Sequence, residues 1–126
     1  MHTALETPAV DCTDMIGTAL SFKFDVHASS ADTVFTVEIS TDGGADWITV
    51  WQRVQPDPGD LGPQTANIDI SETADGRMDV LLRFRYQATD AEEWGWQVDD
   101  VIISADKKNQ FNWFLFLQAI IAKPVL

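Results

Sequence analysis

The chain has 126 residues and a mass of 14.0 kDa, the size of one domain. Hydrophobic residues make up 45% of it and charged residues 22%, which excludes wholesale disorder. Its 20 Asp and Glu against 8 Lys and Arg give a net charge of -12, which argues against a nucleic-acid partner and against an anionic membrane surface. The acidic excess leaves two readings open, a solvated surface or cation coordination.

The dominant period is two. In residues 19–26 Leu20, Phe22, Phe24 and Val26 fall on one face and Ser21, Lys23 and Asp25 on the other, the pattern of a half-buried strand. Residues 33–40 alternate again, with Phe35, Val37 and Ile39 facing in. After Asp42-Gly43-Gly44 the pattern resumes over 47–54, so these two runs predict a hairpin. Residues 55–65 hold three prolines and two glycines and read as loop. A short strand is expected over 66–70, a turn over 71–77, and strands over 79–88 and 94–104 with a charged turn between them. Six or seven short strands with no amphipathic helix predict an all-β fold, an antiparallel jelly-roll-like β-sandwich over residues 1–106.

Residues 107–126 differ in character. A polar joint leads into an apolar run from Phe111 to Ile121, interrupted by Asn112 and Gln118 and too short for a membrane span. Exposed, it would be an aggregation hazard, so it is expected to be buried. It would serve as an apolar C-terminal extension that completes the sandwich within its own chain or forms a subunit interface by exchange in a homodimer.

The single cysteine, Cys12, excludes an internal disulfide and a multi-cysteine zinc site. Two histidines, His2 and His27, offer almost nothing to a catalytic triad or a histidine metal site. His2 is expected to sit at a frayed terminus. Residues 1–10 have neither a basic nor an apolar leader segment, so no signal peptide is expected. The acid–base constellations that catalysis needs are missing from the pattern, and no enzyme is predicted.

Ser40-Thr41-Asp42-Gly43-Gly44-Ala45-Asp46-Trp47 resembles the Asp-box, S-x-D-x-G-x-T-W, with Asp46 where that motif has Thr. Its chemistry is that of a tight turn: Asp42 accepts from the turn's own N–H groups and the glycines supply positive φ. A scaffold role is expected. Trp94-Gly95-Trp96-Gln97-Val98-Asp99-Asp100-Val101-Ile102-Ile103 follows Arg83-Phe84-Arg85-Tyr86. With that turn and with Thr7-Pro8-Ala9-Val10-Asp11, the set resembles the MAM-like and cleaved-adhesin modules of extracellular proteins. The resemblance covers about residues 5–104. It implies a jelly-roll sandwich, extracellular or cell-surface location, and a non-catalytic accessory role in secreted enzymes or adhesins. It also implies a structural Ca2+ in some members. Such modules carry one or more strands upstream of the Thr7–Asp11 segment, which predicts a missing first strand here.

Strict alternation places Asp100 with Trp96 and Val98, and Asp99 with Val101 and Ile103, so one carboxylate faces the apolar side unless a bulge intervenes. A buried carboxylate needs donors, an arginine or a cation. Calcium held by Asp99 or Asp100 with Asp11 is one expectation; hydrogen bonds or Arg83 and Arg85 are the other. Trp51 and Trp94 are the aromatics assigned to a ligand platform. The predicted function is a non-catalytic adhesion or binding module for carbohydrate or protein. The alternative is a free-standing small assembly protein that oligomerises through its tail.

Overall fold

The computed structural model describes residues 2–28, 33–55, 59–87, 95–107 and 112–117. Strands β1 (His2–Glu6), β2 (Met15–Ala28), β3 (Thr33–Ser40), β4 (Ile48–Gln55) and β5 (Gly59–Asp69) precede a single helical turn, α1 (Ser71–Ala74). Strands β6 (Leu81–Gln87), β7 (Gly95–Lys107) and β8 (Asn112–Leu117) follow. They form two four-stranded antiparallel sheets, ordered β1-β6-β3-β4 and β5-β2-β7-β8. The architecture is the predicted all-β sandwich.

Alternation builds the core. Phe22, Phe24 and Val26 of β2, Phe35, Val37 and Ile39 of β3, Leu82, Phe84 and Tyr86 of β6, and Trp96 and Val98 of β7 are all buried. Trp96 lies between the sheets: its ring contacts Phe22 of its own sheet at 6.2 Å, and Phe35 and Phe84 of the other at 5.4 and 5.8 Å between centroids. Edge-to-face geometry of this kind adds to the area that the rings bury.

Three parts of the chain depart from their local patterns. Residues 59–65, predicted as loop, belong to β5. Pro63 is tolerated because β5 is an edge strand and its ladder with β2 is irregular between Phe24 and Val26, opposite this proline. The segment 71–74, predicted as turn, winds into α1, started by the Asp69 carboxylate, which accepts from the Ser71 N–H at 2.9 Å and its hydroxyl at 2.6 Å. The chain start is no frayed end either. Strand β1 pairs with β6 from His2↔Gln87 to Glu6↔Arg83, so the first strand expected to be missing is present. Ladder bonds supplied by β6 outweigh the weak strand pattern of the first residues.

A bulge opens β2. Three steps from Ile16 to Ala19 face two from Asp106 to Ser104, and Gly17 takes φ +68°. The N–H groups turned out of the ladder there are taken up by Asp75, 57 and 58 residues away in sequence. Its carboxylate accepts from Gly17 N at 2.7 Å, from Thr18 N at 2.9 Å and from the Thr18 hydroxyl. Burial pushes its pKa up, but these bonds from Thr18 and Gly17 outweigh that and hold it below the ordinary carboxylate range.

The tail joins the second sheet: β8 pairs with β7 from Asp106↔Asn112 to Val101↔Leu117. The boundary expected at residue 106 falls inside β7. Removing residues 109–126 strips the outer strand from β7, and thermal unfolding is expected at least about 5 °C lower. Calorimetry on the truncated chain checks this.

Asp75→Asn is expected to cost about 1–2 kcal/mol at neutral pH, the scale of hydrogen bonds to a charged acceptor. Because the native pKa is lowered, this contribution is complete above the unfolded value of about 3.9 and fades as the pH falls through the native one. Urea unfolding of wild type and variant, followed from pH 7 down through the lowered native value, should therefore converge at the acid end.

Candidate functional site

The Asp99-Asp100 pair sits on an irregularity in the central ladder of the second sheet. Ser21 pairs with Ile102 and Lys23 with Asp99, so two steps on β2 face three on β7. The extra residue shifts the phase of β7. Trp96 and Val98 point inward before it, Val101 and Ile103 after it, and neither aspartate has to enter the core. Asp100 adopts φ 51°, the one non-glycine positive φ among the described residues. Its N–H donates to Asp99 Oδ1 at 2.8 Å, and its carboxylate lies 3.2 Å from Lys23 Nζ. Both partners of that pair are well exposed, with side-chain accessibilities of 62% and 42%. The inward carboxylate that strict alternation predicted is thus replaced by an exposed pair and an ion pair.

Beside this bulge lies a shallow recess of about 280 Å³ on the outer face of β5, β2 and β7, lined by Lys23, Asp25, Pro63, Gln97 and Asp99 with the edges of Phe24 and Val98. Lys23, Asp25, Gln97 and Asp99 occupy alternate outward positions on two neighbouring strands. Their amine, carboxylates and amide therefore converge on one patch. Sequence reasoning assigned Asp99 to a site but missed Lys23, Pro63 and Gln97. The outward positions of the alternation were the available signal, but which strands are neighbours is not written in it.

The other assigned residues are dispersed. Asp11 accepts from the Thr13 N–H at 3.0 Å and from its hydroxyl, an exposed local turn whose hydrogen bonds lower the carboxyl pKa. It precedes Met15, whereas Asp99 pairs eight residues further along β2, about 26 Å away at strand rise. Among the described residues no three Asp, Glu, His or Cys side chains gather to hold a metal ion. Asp11, Asp99 and Asp100 are therefore not brought together. Trp51 is half-buried, stacked on Trp96 at 6.0 Å and 18° and edge-on to Phe22 and Phe24. Trp94 lies outside the described residues.

The Asp-box-like turn is built from its own polar atoms. Ser40 Oγ donates to Asp42 Oδ1 at 2.7 Å and accepts from Gly44 N at 2.9 Å; Asp42 Oδ1 also accepts from Asp46 N at 2.9 Å. The bonds from Asp46 and then Ser40 hold the Asp42 carboxyl below its ordinary pKa. Gly43 and Gly44 take φ 76° and 93°, which side-chain-bearing residues rarely adopt. Trp47 donates Nε1–H to Gly44 O at 3.1 Å and lies 4.1 Å under the Arg83 guanidinium. Arg83 and Arg85 in turn reach the buried Glu38, with Nε 3.0 and 3.6 Å from Oε1. The hydrogen bonds of Ser40, Asp42 and Trp47 thus stay within the turn.

Cys12 is fully buried, and that burial, with the charges of Asp11 and Asp75, pushes its thiol up to about 11. It is no nucleophile at neutral pH. No protein-family model matches the chain, and no curated protein matches it either.

Asp42→Ala is expected to lower the melting temperature while leaving any ligand affinity unchanged, since its bonds stay within the turn. Calorimetry beside a binding titration separates the two. Native stability with lost binding would make the turn a functional loop.

Proposed function

We propose that this chain is a non-catalytic binding or adhesion module that takes a carbohydrate or protein ligand on the outer face of its second sheet, as an accessory domain of an extracellular protein. The observation that carries the reading is the recess beside the β7 bulge, where Lys23, Asp25, Gln97 and Asp99 offer donors and acceptors at sheet spacing. Such a patch suits hydroxyl and amide groups, which need directional partners rather than an acid–base pair. Bulges that re-aim side chains and positive-φ residues both concentrate at binding sites. The resemblance to MAM-like and cleaved-adhesin modules supports the extracellular and accessory part of this reading. A calcium ion is not needed for it.

The second reading is an assembly protein that oligomerises through its tail. It is favoured by the position of β8 at the rim of its sheet, with β7 as its one ladder partner among the described residues. Light scattering across a concentration series tests it: a dimer that residues 109–126 are needed to form supports it, and a monomer throughout rejects it.

For the first reading, neutral glycans and extended peptides are screened against the wild-type chain and then against Gln97→Ala and Asp25→Asn. A ligand bound at least tenfold more weakly by these variants at unchanged melting temperature is the expected result. A ligand indifferent to both substitutions, or none in either class, overturns the assignment to this recess.

A further inference from the structure

The recess beside the β7 bulge carries more negative charge than it neutralises. Lys23, Asp25 and Asp99 line it and Asp100 adjoins it, one ammonium against three carboxylates. The ammonium is turned to Asp100, with Lys23 Nζ 3.2 Å from Oδ2. Asp99 Oδ1 accepts only from the N–H of its chain neighbour Asp100, at 2.8 Å. Asp25 is half-buried, and among the described residues no donor reaches its carboxylate. That sets it apart from Asp11, Asp42, Asp69 and Asp75, each of which accepts from N–H groups around it.

The ladder fixes how these groups are spaced. Lys23 pairs with Asp99 and Asp25 with Gln97, in a stretch of β2 and β7 without irregularity. Asp25 and Asp99 are therefore diagonal neighbours, with Cβ atoms about 7 Å apart. An ammonium, with three donors, spans such a pair and meets both carboxylates. A hard metal ion suits it poorly. Calcium takes about six to eight oxygens, and among the described residues no three metal-ligating side chains gather. The rest of the lining is not ionic. Gln97 is exposed beside Asp25 and offers an amide donor and acceptor, while Pro63 and the edges of Phe24 and Val98 offer apolar surface.

We propose that the recess selects an amino sugar, whose ammonium sits between Asp25 and Asp99 and whose hydroxyls meet Gln97. The proposal rests on the reading of this recess as a carbohydrate site and adds the charge that its ligand carries. A lysine side chain brings the same ammonium but no hydroxyls for Gln97 and no ring for Pro63, so it engages the carboxylate pair alone. The net charge of -12 draws any cation towards the chain, but salt screens that long-range attraction more than it screens contact with the pair.

The test titrates the full chain at about 0.15 M salt, where long-range attraction is largely screened. A pH of about 5.5 keeps sugar amines protonated and lies above the ordinary carboxylate range. The probes are the glucosamine tetramer, its fully N-acetylated counterpart, which keeps the skeleton without the charge, and an end-blocked Gly-Lys-Gly peptide. Binding is read from the backbone N–H signals of residues 23–25 and 97–99 in a nitrogen–proton correlation spectrum. The glucosamine tetramer is expected to move these signals saturably, and the other two probes to bind at least tenfold more weakly. Asp25→Asn should weaken the glucosamine tetramer at least tenfold, and should keep the wild-type melting temperature because Asp25 has no hydrogen bond to lose. Asp79→Asn removes the same charge at an exposed position outside the recess and should leave binding unchanged. Equal binding of the two tetramers at these residues overturns the amino-sugar assignment and leaves the carbohydrate reading standing. A lysine peptide that binds as tightly as the glucosamine tetramer overturns the assignment to a sugar. Equal losses in Asp25→Asn and Asp79→Asn trace the affinity to net charge and overturn the proposal, as does the absence of any saturable shift at about 10 mM glucosamine tetramer.

Discussion

The structure depends on one buried side chain, the indole of Trp96. It has no exposed surface and meets rings from both sheets: Phe22 in its own, and Phe35, Phe84 and Trp51 in the other. Two sheets with apolar inner faces would pack at many offsets. An aromatic of this size in contact with four others allows far fewer, because interiors pack at crystal-like density and rings prefer offset or edge-on approach. Truncating such a residue costs about 3–5 kcal/mol, a large part of the stability of a domain this size.

The bulges are the second level of organisation. Each sheet is continuous enough to bury its inner face, yet the ladder slips at Gly17, near Pro63, beside Val50 and at Asp100. A slip by one residue reverses which side chains face the core, so each slip re-aims the rest of its strand. At Gly17 the freed N–H groups are captured by Asp75, which ties the start of β2 to the segment after α1. At Asp100 the slip keeps two adjacent carboxylates out of the core and opens the recess beside them.

Many of the described acidic groups are committed. Asp69 starts α1, Asp75 closes the bulge, Asp42 closes a turn and Glu38 gathers Arg83 and Arg85. These are short-range, hydrogen-bonded uses of charge, and they account for the lowered pKa values of Asp42, Asp69 and Asp75. Against that economy the recess around Gln97 stands out as a polar patch away from the core.

Several features were legible in the residues alone. The period-two runs at 19–26, 33–40 and 79–88 determine strands because alternation offers one face to a core and one to water. The Asp42-Gly43-Gly44 turn determines the hairpin because its glycines take φ values that side-chain-bearing residues rarely adopt. Local chemistry sufficed there. It did not suffice at 59–65, where Pro63 argues for a loop and only an edge position beside β2 makes a strand tolerable. Nor did it suffice at 2–6, where β6 supplies the pairing. The site was less legible still. Asp99 and Asp100 were visible as a pair, but their direction depended on a bulge defined by two strands. The company of Lys23, Asp25 and Gln97 depended on β2 and β7 being neighbours across some 70 residues of chain, on the order of a domain's full length. Sequence determines which faces are apolar, because that is a property of each strand. Tertiary structure decides which faces meet and where a ladder slips, because those are properties of pairs.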